Sequence, residues 1–386
     1  MDQDKQETYN GFEQGPIRPP SEAKSLLIRI TRNCPWNRCK FCPVYKGTEF
    51  SIRPVEYIIK DIDLLHRIII GLNSKIDNSG YISNNDISSV AEKVNPNELD
   101  AFYAALNWLS GGMKSIFLQD ANSLIIKPKD IIAILKHIKN CFPWVERITS
   151  YARSHTIAKI SDDDLKMIED AGLNRIHIGL ESGSDKVLSM INKGVTKETH
   201  IKAGLKVKKA GIELSEYLMP GLGGVELSEI HAIESADALN QINPDFIRLR
   251  TLAIPNSVEL FEDYEKGTFK KCSDVMVVNE ILLFLENLKG ITSSIKSDHI
   301  LNLFEELKGK LPNDKEKMMT VLKSFLELAP QKQMIYQVGR RLGIMHNLSD
   351  IQNSTLSTSA YETCLKLGIT PENVDSIIYE IMKKFI

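Results

Sequence analysis

Three cysteines sit in one short segment, Thr31-Arg-Asn-Cys34-Pro-Trp-Asn-Arg-Cys39-Lys-Phe-Cys42-Pro-Val-Tyr45, while Cys141, Cys272 and Cys364 are scattered. Three thiolates at close spacing can hold three irons of a cubane cluster, leaving the fourth iron without a protein ligand. Chemistry on an iron requires that vacancy. The competing assignment, a structural zinc site, needs four protein ligands. No further Cys or His follows within roughly the next twenty residues, because His66 falls inside an expected helix. A disulfide scaffold does not suit a chain of this size with this spacing.

Such a segment has to be held by regular structure, and the chain supplies it. From Ser25 to about Leu252, short apolar runs alternate with amphipathic stretches. The expected strands are Leu26–Thr31, Ser115–Gln119, Ile148–Ala152, Arg175–Leu180, Glu213–Leu218 and Phe246–Thr251. Between them lie expected helices at Val55–Leu72, Pro128–Lys139, Asp162–Ala171, Lys197–Ala210 and Ser228–Asn240. This alternation implies parallel strands joined by crossover helices. Six units give an α/β fold, a (β/α)6 partial TIM-like barrel, followed by a mostly helical C-terminal domain. The expected division is a polar N-terminal extension at 1–24, the barrel at 25–255 and the helical domain at 256–386. The cysteine segment falls where the first strand ends, at the rim where parallel barrels place their chemistry. An Asn-, Ser- and Gly-rich insertion at Asp77–Asn97 and the stretch Asn353–Ser359 are expected as loops.

At 386 residues the chain accommodates one large domain plus an appendage. Its 42% hydrophobic and 25% charged content is that of a water-soluble globular chain. A net charge of −2 gives no electrostatic case for nucleic acid as the main partner. The N-terminus lacks a basic and apolar leader, and no run approaches ~18 uninterrupted apolar residues. A cytoplasmic protein with no membrane span is the expectation.

Period-two alternation assigns side chains to the inner face. Inward are Ser115, Phe117 and Gln119; Thr149, Tyr151 and Arg153; His177, Gly179 and Glu181; and Phe246, Arg248 and Arg250. Packing alone would fill a barrel with apolar groups, so these charges imply a wet, ligand-binding cavity. His177 reads as a hydrogen-bonded core histidine or a substrate acid–base group. Asp298, in Ser297-Asp298-His299, reads as the N-cap of a C-terminal helix.

Here the chain resembles the radical S-adenosylmethionine (SAM) superfamily, whose usual motif after the first barrel strand is C-x3-C-x2-C; this sequence has C-x4-C-x2-C. The resemblance covers roughly Ser25 to Leu252. It implies an enzyme with a [4Fe–4S] cluster on Cys34, Cys39 and Cys42, SAM as its second cofactor, and an electron donor such as flavodoxin or ferredoxin. Phe41 falls where the family's backbone contact to adenine lies. Glu181 resembles the residue used on the SAM ribose or amino group, with a helix N-cap as its alternative. Gln119 and Asp120 stand where the family carries Gly-Gly-Glu, absent here, so SAM contact and turn chemistry both remain open. Arg153 is a fork for the SAM carboxylate or a rim ion pair. Gly221, in Pro220-Gly-Leu-Gly-Gly224, lets backbone approach SAM or simply turns. Arg248 and Arg250 suit an anionic substrate or an ion pair with Glu181 or Glu216.

Absences narrow the reaction. No second cysteine triplet supports methylthiotransfer, no cysteine-rich tail supports peptide maturation, and no basic surface supports tRNA modification. The chain organisation resembles Fe–S oxidoreductases related to oxygen-independent coproporphyrinogen oxidase. What remains is oxidation or rearrangement of a small or medium anionic substrate by hydrogen abstraction. Its rivals are a non-catalytic Fe–S or SAM carrier on the same fold and a zinc-stabilised interaction protein.

Overall fold

The computed structural model describes residues 8–383. In chain order its elements begin with β1 (Leu26–Arg29), β2 (Thr31–Arg32), β3 (Ser51–Ile52), α1 (Val55–Asn73), α2 (Asn84–Ala91) and α3 (Leu99–Ser110). There follow β4 (Ser115–Gln119), α4 (Pro128–Cys141), β5 (Arg147–Ala152), α5 (Ser154–Ile157), α6 (Asp162–Asp170) and β6 (Arg175–Glu181). Next come α7 (Asp185–Met190), α8 (Lys197–Ala210), β7 (Glu213–Leu218), α9 (Gly224–Ile242), β8 (Phe246–Leu249) and α10 (Glu259–Glu265). The remainder is α11 (Asp274–Asn287), β9 (Ser294–Lys296), β10 (Gly309–Lys310), α12 (Lys315–Leu326), α13 (Pro330–Arg341), α14 (Ser354–Lys366) and α15 (Val374–Met382). The chain is α/β, with a mostly parallel sheet of eight strands and C-terminal helices. All six expected strands and all five expected helices are present, with boundaries shifted by a few residues.

The chain divides into two compact units, one of residues 8–35, 47–176 and 209–212, the other of 36–46, 177–208 and 213–383. In the first, β4 lies between β1 and β5, all parallel, with Leu26 opposite Ile116 and Phe117 opposite Thr149. Helix α1 earns its place through Ile58, Ile62, Leu65, Ile69 and Leu72, spaced to form one buried stripe. Trp108 fills the core beneath α3, its Nε1–H donating to the Ser115 carbonyl at 2.8 Å and its ring edge-on to Phe142 at 5.1 Å. A two-residue antiparallel ribbon, β2 with β3, brackets segment 33–50, which carries the cysteines.

In the second unit β7, β8 and β9 run parallel in that order, and β10 closes the edge antiparallel to β9. Strand β9 is an addition to the sequence reading: Ser-Ile-Lys offers a single apolar residue, too short a pattern to register. Ile295 is nonetheless fully buried beside Phe304, Phe284 and Met318. The segment past residue 255 therefore contributes strand as well as helix to this unit.

Three expectations are corrected. The insertion at Asp77–Asn97 contains helix α2, whose N-terminus is capped by the Ser83 hydroxyl at 3.1 Å and whose Val90 is buried. Asn353–Ser359 is the start of α14, with the Asn353 carboxamide accepting from Thr355 and Leu356 N–H. In both places Ser and Asn served as helix caps, the use that most resembles loop composition. Asp298 caps no helix; it follows β9 and pairs with Arg248 instead. No helix among the described residues is long and apolar enough to cross a membrane.

Candidate functional site

The cysteine segment leaves the first unit at Asn33. That residue sits at φ +66°, left-handed backbone that Asn tolerates. Its N–H donates to the Asp120 carboxylate at 3.0 Å, and the same carboxylate oxygen takes the Arg29 guanidinium at 2.8–2.9 Å. Asp120 is fully buried, so strand β4's end clamps the residue immediately before Cys34. Gln119 points to another task. Its carboxamide accepts from Gly15 N–H and donates to the Gly15 carbonyl, binding the N-terminal segment to β4. A Cβ on Gly15 would fall 1.7 Å from the Asp120 carboxylate, so only glycine fits there. Beside it, Glu13 takes Arg29 at 3.1 Å, Arg32 at 2.6 Å and Arg53 at 2.6 Å, and those guanidinium groups hold its carboxyl below the usual range. Residues 8–24 are thus a packed strap, not a tail; residues 1–7 lie outside the described residues. Arg153 opens α5, its backbone N–H donating to Asn122 at 2.9 Å.

The middle of the cysteine segment belongs to the second unit, which moors it at several points. Trp36 donates to the Asn192 carbonyl at 2.7 Å, and its ring occupies the space where a Cβ on Gly194 would stand, 2.3 Å away. Lys40 N–H donates to Ile191 and its carbonyl accepts from Leu260, while its ammonium pairs with Asp263 at 2.8 Å. Cys42 N–H bonds back to the Cys39 carbonyl at 3.3 Å, forming the turn that brings the two residues together. Cys34, Cys39 and Cys42 are half-buried and in no disulfide; Cys141, Cys272 and Cys364 are buried. Burial, with Glu280 adding to it, pushes the Cys272 thiol up to about 12.

Charged groups gather at the strand ends of this unit. Glu181 ends β6 at φ +60°, strained for a non-glycine residue, and pairs with Lys193 at 3.0 Å. The pair folds over Gly179, where a Cβ would stand 2.3 Å from the Glu181 carboxylate. Lys193 also lies 5.8 Å from the centre of the Phe41 ring. Glu216 on β7 is buried, with no side-chain hydrogen-bond partner among the described residues. Burial, reinforced by Glu181, raises its carboxyl well above the usual range. Arg248 donates to Ser215 at 3.1 Å and pairs with Asp298 at 2.6 Å. Arg250 stands beside His299, and burial together with that positive charge brings the imidazole down to about 4. His177 is buried with its ring edge-on to Tyr217 at 5.7 Å.

Gly221, at φ +84°, donates its N–H to Glu280 at 2.7 Å and lines a cavity of about 340 Å³. Lys271, Asp274, Arg341 and Asp375 also line it. Lys271 has an aromatic face beneath its ammonium, 4.4 Å from the Tyr379 ring centre, and burial lowers its pKa. Lys193, Lys271 and the Glu13 strap escaped sequence reasoning, and Asp298 reads in sequence as a helix cap. Each acts across a long stretch of chain, and no local spacing announces it.

The sequence model of the radical SAM superfamily matches residues 85–236, a span that starts after the cysteine segment. A tRNA uridine(34) acetyltransferase from Methanocaldococcus infernus is 25% identical over 265 residues, covering 66% of this chain and 48% of that protein. A tRNA-2-methylthio-N(6)-dimethylallyladenosine synthase from Christiangramia forsetii is 26% identical over 212 residues, 53% of this chain and 37% of that one. The chain spans about half the length, or less, of these curated relatives. A solved coproporphyrinogen III oxidase from Escherichia coli aligns with a TM-score of 0.44 at 15% identity, over 68% of this chain and 52% of that chain.

Proposed function

We propose that this chain, whose residues 85–236 match the sequence model of the radical SAM superfamily, is a radical SAM enzyme that cleaves SAM reductively and uses the product radical on a small or medium anionic substrate. The family implies a [4Fe–4S] cluster and SAM as cofactors. The donor set fits the first of these: three thiols, none in a disulfide, on one moored segment. Cys34, Cys39 and Cys42 would hold three irons and leave the fourth to SAM. A bound cluster, reduced by the electron donor, would supply one electron to the SAM sulfonium, whose C5′–S bond would break to give methionine and a 5′-deoxyadenosyl radical able to take a substrate hydrogen atom.

The chain's own residues position and shield. Glu181 and Lys193, each 13% exposed, offer a carboxylate and an ammonium to ribose hydroxyls or to the amino-acid end of SAM. Phe41, Gly221 and Arg153 complete the proposed SAM contacts, while Asp120 acts through the backbone of Asn33 and Gln119 holds the N-terminal segment against β4. Arg248 and Arg250 are proposed to face the substrate's anionic group. In this reading residues 25–255 carry the chemistry and 256–386 complete the cavity, in a reducing cytoplasmic setting with flavodoxin or ferredoxin as electron donor.

The cysteine segment is the observation that carries the proposal. Anaerobically reconstituted protein, given dithionite and SAM, is expected to form 5′-deoxyadenosine, and alanine at any of the three cysteines is expected to abolish both cluster and product. Protein that holds a cubane yet yields no deoxyadenosine would establish the carrier alternative, and colourless zinc protein the interaction alternative. A second reading, a nucleoside within RNA as substrate, is favoured by the two tRNA-modifying relatives. Deuterium transfer into 5′-deoxyadenosine from labelled bulk tRNA, set against labelled small metabolites, separates the two.

A further inference from the structure

We propose that Asp63, His137 and Cys141 form a binding site for one Zn²⁺-class cation, built on helices α1 and α4 and sharing no residue with the cysteine motif. His137 and Cys141 are four residues apart on α4, so imidazole and thiol lie on one face, one turn from each other. Helix α1 packs against α4 and delivers Asp63 to the same point. His137 Nε2 stands 2.7 Å from Asp63 Oδ1 and 3.6 Å from Cys141 Sγ. All three ligand atoms lie within 4.8 Å of one another.

With Zn–N of about 2.0 Å and Zn–S of about 2.3 Å, the N···S edge of a tetrahedral site is about 3.6 Å. The imidazole and thiol already have that separation. The His137–Asp63 contact is a hydrogen bond, and it has to open only to about 3.3 Å to become the N···O edge of the same tetrahedron. A thiolate, an imidazole and a carboxylate together select a borderline-soft divalent ion and disfavour Mg²⁺ or Ca²⁺. The thiol proton leaves to solvent as the Sγ–metal bond forms. Asp63 is 59% exposed at its side chain and Cys141 is buried, so the site is open to solvent on one side and backed by core on the other. Water would take the fourth position. Bound metal would tie α1 to α4, which already pack together in the first unit.

The full chain with Cys34, Cys39 and Cys42 all changed to alanine removes the other thiol cluster, so this measurement succeeds or fails independently of the iron–sulfur proposal. Zn²⁺ competition against a chromophoric chelator is expected to show one bound equivalent. Co²⁺ is expected to give a thiolate charge-transfer band. Adding His137→Ala or Cys141→Ser should weaken Zn²⁺ at least tenfold and erase the cobalt band, and Zn²⁺ should raise the melting temperature only where the triad is intact. His137 is partly exposed, so its variant keeps the test valid if replacing the buried cysteine unfolds the protein. Absence of a bound equivalent, or an unchanged affinity in the His137→Ala protein, overturns the proposal.

Discussion

Asp120 satisfies two partners at once, the Arg29 guanidinium and the Asn33 N–H, inside a site closed to water. Breaking a buried pair by neutralising one member leaves the other charge stranded, which costs about 3 kcal/mol or more. Asp120→Asn is therefore expected to lower the denaturant midpoint clearly and to reduce iron bound per chain, because the residue before Cys34 loses its anchor. Iron content unchanged in a folded variant would remove Asp120 from the positioning role. Glu216 makes a different prediction. Its folded-state pKa lies above the ordinary value of 4.5, so its share of stability is complete below that value and is lost as pH rises through the raised one. Glu216→Gln removes the ionisable group. Parent and variant should melt alike near pH 4.5, and the variant should be the more stable at pH 8, as melting curves across that range will show. Both residues were in view in the sequence, Asp120 as a strand-end candidate and Glu216 as a possible ion-pair partner. Neither role was legible, because each depends on what lies across the strand.

At the scale of elements, the strands and helices were read from their periodicity because each buries a single continuous face. Helix α1 shows its stripe openly, and β4 and β7 were bounded to the residue. Helices α2 and α14 hid behind their caps, and β9 hid behind its length. The mooring of the cysteine segment is also an element-scale property, since the turn after α7 must pass close beneath the Trp36 ring. Gly194 makes that approach possible, having no Cβ and a φ of +71°. Alanine there meets the indole at 2.3 Å and adds left-handed strain of about 1–2 kcal/mol. The expected outcome of Gly194→Ala is an unchanged far-ultraviolet circular dichroism spectrum with a several-fold loss of reconstituted iron and sulfide. Full cluster loading in that variant would show that Trp36 does not govern the segment.

For the molecule as a whole, the stretch after residue 255 shares a sheet and a core with strands before it. Ile295 of β9 pairs in register with Ile247 of β8, and both are buried in a core shared with α9, α11 and α12. A chain ending at residue 255 would expose the edge of β8 and the apolar face beside it, conditions that favour aggregation. That truncation is expected to be insoluble or to unfold without a cooperative transition, whereas a soluble, cooperatively melting fragment would restore the division near 255 as a folding boundary. The sequence by itself determined the α/β class, the parallel strands and the three clustered thiols, because periodicity and ligand spacing are local properties of the chain. Tertiary structure alone decided that Asp298 faces Arg248, that Glu13 gathers three arginines, that Lys193 covers Glu181, and that Asp63 meets a histidine and a cysteine from another helix. Those pairings join residues from about a dozen to some seventy positions apart. The energy of such a contact depends on burial and on what the neighbouring elements bring to it, and a linear pattern encodes neither.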